Sequence, residues 1–258
     1  MKRLELAFGV PLLALALFVG HEAWGTQVRV RQMSRGATRL AAEPVARGEV
    51  RSAEAVDEAP VSALADEVAD VRRRLELSAP GTYIGDVLAA RDSSIARWPD
   101  RRTNPLRIWV QAAPWLRGFE REYVPIVRDA FSSWSESGIP LSFSFVVDSA
   151  NADIRVTWID RFDETISGKT LWAHDASWWI VDAQIMLALH HKSGEPLDSS
   201  AVRAIALHEV GHLIGLDHTR DTTAIMTPRV RVKELSASDR ATAQLLYSLP
   251  PGRVGRRR

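Results

Sequence analysis

Cysteine is absent from the 258 residues. That excludes disulfide bonds, thiolate-ligated zinc and lipidation at an N-terminal cysteine. An excess of one charge sign is also missing: 33 Lys and Arg stand against 32 Asp and Glu, a formal net charge of +1. Such a balance leaves no electrostatic footprint for nucleic acid. No apolar run reaches the roughly 20 residues of a full membrane-spanning helix, and no internal repeat is visible. What is there, 46% hydrophobic and 25% charged residues, suits one domain with a sizeable core plus extensions.

The longest apolar run is Leu6–Gly20, preceded by Lys2 and Arg3 and interrupted by Gly9 and Pro11. Its length suits the apolar region of a signal peptide. Ala23-Trp24-Gly25 offers small residues where a signal peptidase reads, so cleavage before Thr26 is one expectation for residues 1–25. The site is not a clean A-x-A, however, and Arg29, Arg31, Arg35 and Arg39 hinder translocation. An uncleaved membrane anchor through residues 4–20 is the alternative. Both readings make this an exported protein, extracellular, periplasmic or in the cell envelope. Residues 26–97 read as linker or pro-segment. Within them Val61, Leu64, Val68, Val71 and Leu75 recur at three- and four-residue steps, predicting an amphipathic helix over 61–77 ended by Ser78-Ala79-Pro80-Gly81. It either packs on the following domain, pairs with another chain or is a solvated spacer. Residues 98–248 read as the main domain, and 249–258, with Arg253 and Arg256–Arg258, as a basic tail.

Inside 98–248 the periodicities predict a strand at Leu106–Val110, a helix over Phe119–Ser137, strands at Leu141–Val147, Ala152–Trp158 and Ile180–Leu189, and helices after Leu197-Asp198-Ser199 and at Ser236–Tyr247. Pro125 either kinks the first of these helices or marks its start. Asp198, Ser199 or Ser200, and Ser236 or Ser238, are the expected caps.

The chemistry is concentrated in Ala206–Pro228, where His208, Glu209, His212, Gly215 and His218 spell H-E-x-x-H-x-x-G-x-x-H. Residues four apart on a helix leave the same face, so His208 and His212 can share one metal ion. Glu209 is rotated about 100° away, within reach of a metal-bound water without being a ligand. Gly215 lets the helix end and the chain turn back, bringing His218 round as a third nitrogen ligand. Three neutral imidazoles and one open position are what catalytic zinc requires. Bound zinc lowers the pKa of its water to roughly 7, and Glu209 would move that proton to a leaving amine.

This motif, with Met226 eight residues after His218 in Ala-Ile-Met-Thr-Pro, resembles that of the metzincin zinc proteases, and within them the matrixins. Thr219 stands where that family usually has Ser; Asp221, Met226 and Pro228 match its pattern. The resemblance covers roughly residues 98–248. It implies an α+β domain with a twisted mixed sheet, one antiparallel edge strand beside the cleft, an active-site helix and a C-terminal helix. The edge strand would come from Ser167–Ala173 or just after. Ala152-Asp153-Ile154 in a strand and Leu235-Ser236, Asp239, Leu246-Tyr247 at the close are further shared features. The resemblance implies a zinc endopeptidase acting on protein or peptide substrates, with Met226 as the floor beneath the metal. It also implies a hydrogen bond or ion pair for Asp239 beneath the active-site helix, a solvated residue being the alternative. Without cysteine, the thiolate switch that silences vertebrate matrixins cannot operate. Any inhibition by residues 26–97 would need a segment lying in the cleft or an oxygen or nitrogen ligand, from a carboxylate between Glu43 and Asp92 or from His21.

Matrixins often carry a second, structural zinc held by three His and an Asp. Here the segment 160–182 has only His174 with Asp163, Asp175 and Asp182, too few imidazoles for that site. No clear motif supports structural Ca2+. His174 therefore reads as a surface or rim residue, and His190-His191 as exposed. Trp172, Trp178 and Trp179 either line substrate pockets or pack on the sheet, while Trp134 reads as core. Two rivals to a protease stand: hydrolysis of a non-peptide amide, and a zinc-holding binding or adhesion module, including an inactive protease homologue.

Overall fold

In a computed structural model of the chain, residues 61–254 are described, with side chains from residue 69 onward. The leader, His21, the linker up to residue 60 and Arg256–Arg258 lie outside the described residues. The elements in order are α1 (Val61–Ser78), α2 (Ile84–Ala90), β1 (Ser94–Ile95), β2 (Arg101–Val110), α3 (Tyr123–Ser135), β3 (Leu141–Phe145), β4 (Ile154–Ile159), β5 (Gly168–His174), β6 (Ile180–Ala188), α4 (Ser199–Leu213), α5 (Ala237–Ser248) and β7 (Gly252–Arg253). Among the described residues no helix is long and apolar enough to cross a membrane.

Five strands form one sheet in the order β3-β2-β4-β6-β5. The first four are parallel, and β5 runs antiparallel to β6, from Gly168 opposite Leu187 to His174 opposite Ile180. Strict alternation in β4 puts Ile154, Val156 and Trp158 inside, as the two-residue period of a half-buried strand requires. Helices α3 and α4 supply the other side of the core, with Phe131, Trp134, Leu207 and Val210 all buried. Two buried indoles tie elements to α4: Trp134 Nε1 donates to Leu207 O at 2.8 Å and Trp98 Nε1 to Leu213 O at 3.0 Å. A buried indole N–H needs such a partner.

Most elements lie where periodicity places them, with trimmed ends. Helix α3 starts at Tyr123, so Pro125 falls in its first turn, where a missing N–H breaks no intrahelical bond. The antiparallel edge strand is β5, as expected. Helix α1 is present, with Leu75 packed against the core and Leu77 exposed.

Residues 83–97 differ from the linker reading. Tyr83, Ile84, Val87, Leu88, Ile95 and Ala96 are buried in the main core. Helix α2 is only seven residues long, too short for a periodic signal to stand out. Its apolar residues join the core beside α5, an element far along the chain. The tail reading is likewise corrected at Arg253. It belongs to β7, which pairs antiparallel with β1, and its Nη2 lies 2.8 Å from Asp92 Oδ2.

Burying each such aliphatic or aromatic side chain contributes roughly 1.5–3 kcal/mol, and whole domains hold only about 5–15 kcal/mol. Removing residues 1–97 strips five large side chains from the core and uncovers their partners. The fragment 98–258 should therefore give no cooperative thermal transition by circular dichroism, whereas 61–258 should melt cooperatively. A sharp transition for 98–258 near that of the longer chain would contradict the role assigned to α2.

Candidate active site

Helix α4 carries the first half of the motif. Asp198 caps its start, Oδ1 accepting from Ala201 N at 2.7 Å. Its end is a Schellman turn: Gly215 N donates to His212 O at 3.1 Å and Leu216 N to Gly211 O at 3.0 Å. Gly215 has φ +105°, and a Cβ there would run into Ala96 O. A residue with a side chain is thus opposed twice, by conformation and by space. The turn directs Asp217 and His218 back toward the face that bears His208 and His212.

The three imidazoles converge. His208 Nε2 lies 3.1 Å from His212 Nε2 and 3.2 Å from His218 Nε2, and the last pair is 3.2 Å apart. His208 Nδ1 is 2.8 Å from Ile225 O and His212 Nδ1 is 3.2 Å from Leu216 O. A carbonyl can only accept, so both Nδ1 atoms carry the proton and both Nε2 atoms present lone pairs. Two lone pairs and the Nε2 atom of His218 face one point, an arrangement that a cation there would stabilise. Tetrahedral zinc with bonds of about 2.0–2.1 Å spaces its nitrogens by about 3.3 Å, so this donor set fits zinc. Among the described residues these are the one group of converging His, Asp and Glu ligand atoms.

Burial acts on the site's titratable groups in a consistent sense, favouring the neutral form. It lowers the His208 pKa to about 4 and puts those of His212 and His218 below the ordinary value too. Asp217 beside His218 partly opposes this. Glu209 is buried and its carboxyl is pushed up to about 7, again by burial, with a hydrogen bond from Thr170 opposing. Thr170 sits on edge strand β5, its Oγ1 2.6 Å from Glu209 Oε2. Oε1 has no protein partner among the described residues and is free to handle a proton.

A further layer holds these groups. Met226 is fully buried, and a Cβ on Gly211 would collide with its Sδ, so the methionine fits directly under α4 because residue 211 has no side chain. Asp239 is completely buried rather than solvated. Its carboxylate accepts from Tyr83 Oη at 2.8 Å, Ile225 N at 2.9 Å, Ser236 N at 2.8 Å and Ser236 Oγ at 2.7 Å. Ile225, held this way through its N–H, is the residue whose carbonyl orients His208.

Of the remaining residues, His174 lies on β5, half-buried and stacked on Trp178 with ring centroids 4.3 Å apart. His190 is not exposed: it is half-buried, with Nδ1 2.9 Å from Asp160 Oδ1. Its neighbour His191 is exposed. Trp172 and Trp179 are half-buried beneath guanidinium groups, of Arg91 at 4.9 Å and Arg97 at 4.7 Å. Trp134 is core. Sequence reasoning missed Thr170, Arg91 and Asp86. Nothing local in the chain marks them, because each acts on residues more than thirty positions away.

An α+β domain with a mixed sheet, a single antiparallel edge strand and a three-histidine cluster on and just beyond one helix defines the metzincin class. The family model Matrixin matches residues 116–248, and the chain belongs to the matrixin family. It is 30% identical over 146 residues to Metalloendoproteinase 1-MMP of Arabidopsis thaliana, covering 49% of this chain and 38% of that protein. It is 24% identical over 213 residues to Matrix metalloproteinase-C of Caenorhabditis elegans, covering 72% of this chain and 34% of that one. The chain thus spans little more than a third of these relatives' length.

In the metal-free protein the buried groups pull stability in opposite directions with pH. His208, about 4 folded against an ordinary 6.5, binds fewer protons when folded, so stability falls as pH drops through that window. Glu209, about 7 against 4.5, binds more protons when folded, so its contribution is complete below 4.5 and is lost as pH rises through 7. Glu209→Gln removes only the second effect. The stability of the metal-free variant relative to wild type should rise by about 3 kcal/mol between roughly pH 4 and pH 8. Denaturant midpoints across that range measure it, and a flat difference would contradict the burial assigned to this carboxyl.

Proposed function

We propose that this chain is a zinc-dependent endopeptidase in which His208, His212 and His218 hold the metal. Glu209 is the general acid/base, and Met226 forms the floor, with Gly215 ending the helix. The reading is carried by the three Nε2 atoms converging at zinc-ligand spacing beside a buried carboxyl. Zinc, when bound, supplies a Lewis acid and brings the pKa of a water molecule to roughly 7.

The chain's own groups do the rest. Glu209 Oε2 is anchored by Thr170, which fixes the carboxyl plane and leaves Oε1 as the proton-carrying atom. A carboxyl raised to about 7 sits near operating pH, where it can both take a proton from the attacking water and return it to the amine nitrogen as the peptide bond breaks. An extended peptide would pair with the free edge of β5, lying antiparallel to it or alongside, so that backbone hydrogen bonds align the scissile carbonyl. Exposure of Leu171 on that strand supports an accessible edge. Export through the 1–25 segment, cleaved or retained as an anchor, would place this activity outside the cytoplasm.

The second reading, a zinc-holding module without turnover, is opposed by Glu209. A binding module has no need of a buried, partly anchored carboxyl next to the metal, where its desolvation is costly.

Glu209→Gln should keep stoichiometric zinc while cleavage of a mixed peptide library falls by about 10²–10⁴-fold. Wild-type protein with full zinc and no cleavage of any library member would instead favour the binding module. A zinc chelator should abolish cleavage and added zinc restore it, and acid should release the metal as protons compete for the three imidazoles. Cleavage that survives strong chelation would reject zinc dependence.

A further inference from the structure

The loop that carries His218 leaves a helix end, where backbone carbonyls point outward without helical partners. Loops of this kind are soft unless something satisfies those groups. Behind this loop lies Arg91, the residue following α2, with a side chain only 7% exposed. Its guanidinium meets three acceptors on three successive residues: Nη1 donates to Gly215 O at 2.8 Å, Nη2 to Leu216 O at 2.8 Å and Nε to Asp217 Oδ2 at 3.1 Å. Its face rests on the Trp172 ring of β5, 4.9 Å from the centroid.

Two of these three residues are connected to a histidine. Leu216 O also accepts from His212 Nδ1, and Asp217 Oδ1 accepts from His218 N at 2.8 Å. On the other flank, Asp86 Oδ2 of α2 accepts from Thr219 Oγ1 at 2.8 Å and from Arg220 N at 3.2 Å. His218 is therefore bracketed, before and after, by contacts from one short helix of the N-terminal segment and the residue that follows it.

We propose that Arg91 and Asp86 are positioning residues that hold His218 in ligand geometry before metal arrives; the proposal rests on the reading of the three histidines as zinc ligands. The planar guanidinium is the one side chain that can meet three converging acceptors in fixed directions. A lysine carries the same charge but as a point, with no fork. A ligand ordered in advance loses no conformational freedom on binding, so the metal is held more tightly. Partners behind the ligands commonly change metal affinity by 10–100-fold.

The test uses full-length protein and zinc alone as probe, with the dissociation constant read by competition against a chromophoric chelator. Arg91→Lys should bind zinc about 10–100-fold more weakly than wild type while keeping native circular dichroism. The visible spectrum of its cobalt(II) form, which reports ligand geometry, should shift. Asp86→Ala should weaken binding in the same direction. Arg97→Lys serves as control, because Arg97 donates to Leu249 O and Trp98 O and stacks on Trp179 without touching the loop. It should bind zinc like wild type. Wild-type zinc affinity in a folded Arg91→Lys variant overturns the proposal. If that variant does not fold, Asp86→Ala decides, and wild-type affinity there overturns it equally. A wild-type chain that holds no zinc would sink the zinc-ligand reading itself, which is a distinct result.

Discussion

A carboxylate taken out of water must replace every hydrogen bond it loses, and Asp239 does so with four donors from three parts of the chain. Ser236 belongs to the cap of α5, Ile225 to the turn beneath the histidines, and Tyr83 to the N-terminal segment. None of these can move without leaving the carboxylate short of a partner, at a cost of several kcal/mol for a buried charge. The capping box at the start of α5, formed by Ser236 and Asp239, is therefore also the anchor of the turn beneath the three histidines. His208 inherits its orientation from this anchor through the Ile225 carbonyl, and Met226 is the next residue along.

Burial then acts on the reactive groups through one cause with two useful results. Imidazoles held in an apolar wall stay neutral, the form a metal ligand must have. A carboxyl held in the same wall is protonated more readily, the form a proton carrier needs. The edge strand β5 contributes to both sides of this arrangement, since Thr170 anchors Glu209 and Trp172 supports the guanidinium behind the His218 loop. On its other side β5 has no strand partner among the described residues.

The N-terminal segment from Tyr83 to Ala96 braces the fold around this site, and is not a detachable preface. Its apolar residues complete the core, and Tyr83, Asp86 and Arg91 each reach a different element around the site. Any processing that preserves the site would have to cut upstream of Tyr83.

The histidine motif, the two caps and the main periodic elements were all readable in the sequence, because each depends on residues within a few positions of one another. Four residues of spacing put His208 and His212 on one helix face whatever the rest of the chain does. A glycine seven residues after the first histidine permits one particular turn. The alternation along β4 and the stripe along α3 are properties of single elements. Tertiary structure alone decided the rest: that Asp239 is buried rather than solvated, that Thr170 anchors Glu209, that His190 is half-buried beside Asp160 rather than exposed, and that residues 83–96 join the core. These are contacts between groups far apart in the chain, from about thirty positions for His190 and Asp160 to over 150 for Tyr83 and Asp239. No local pattern encodes such a contact, since its energy exists only once the chain has closed on itself and removed the water between the partners.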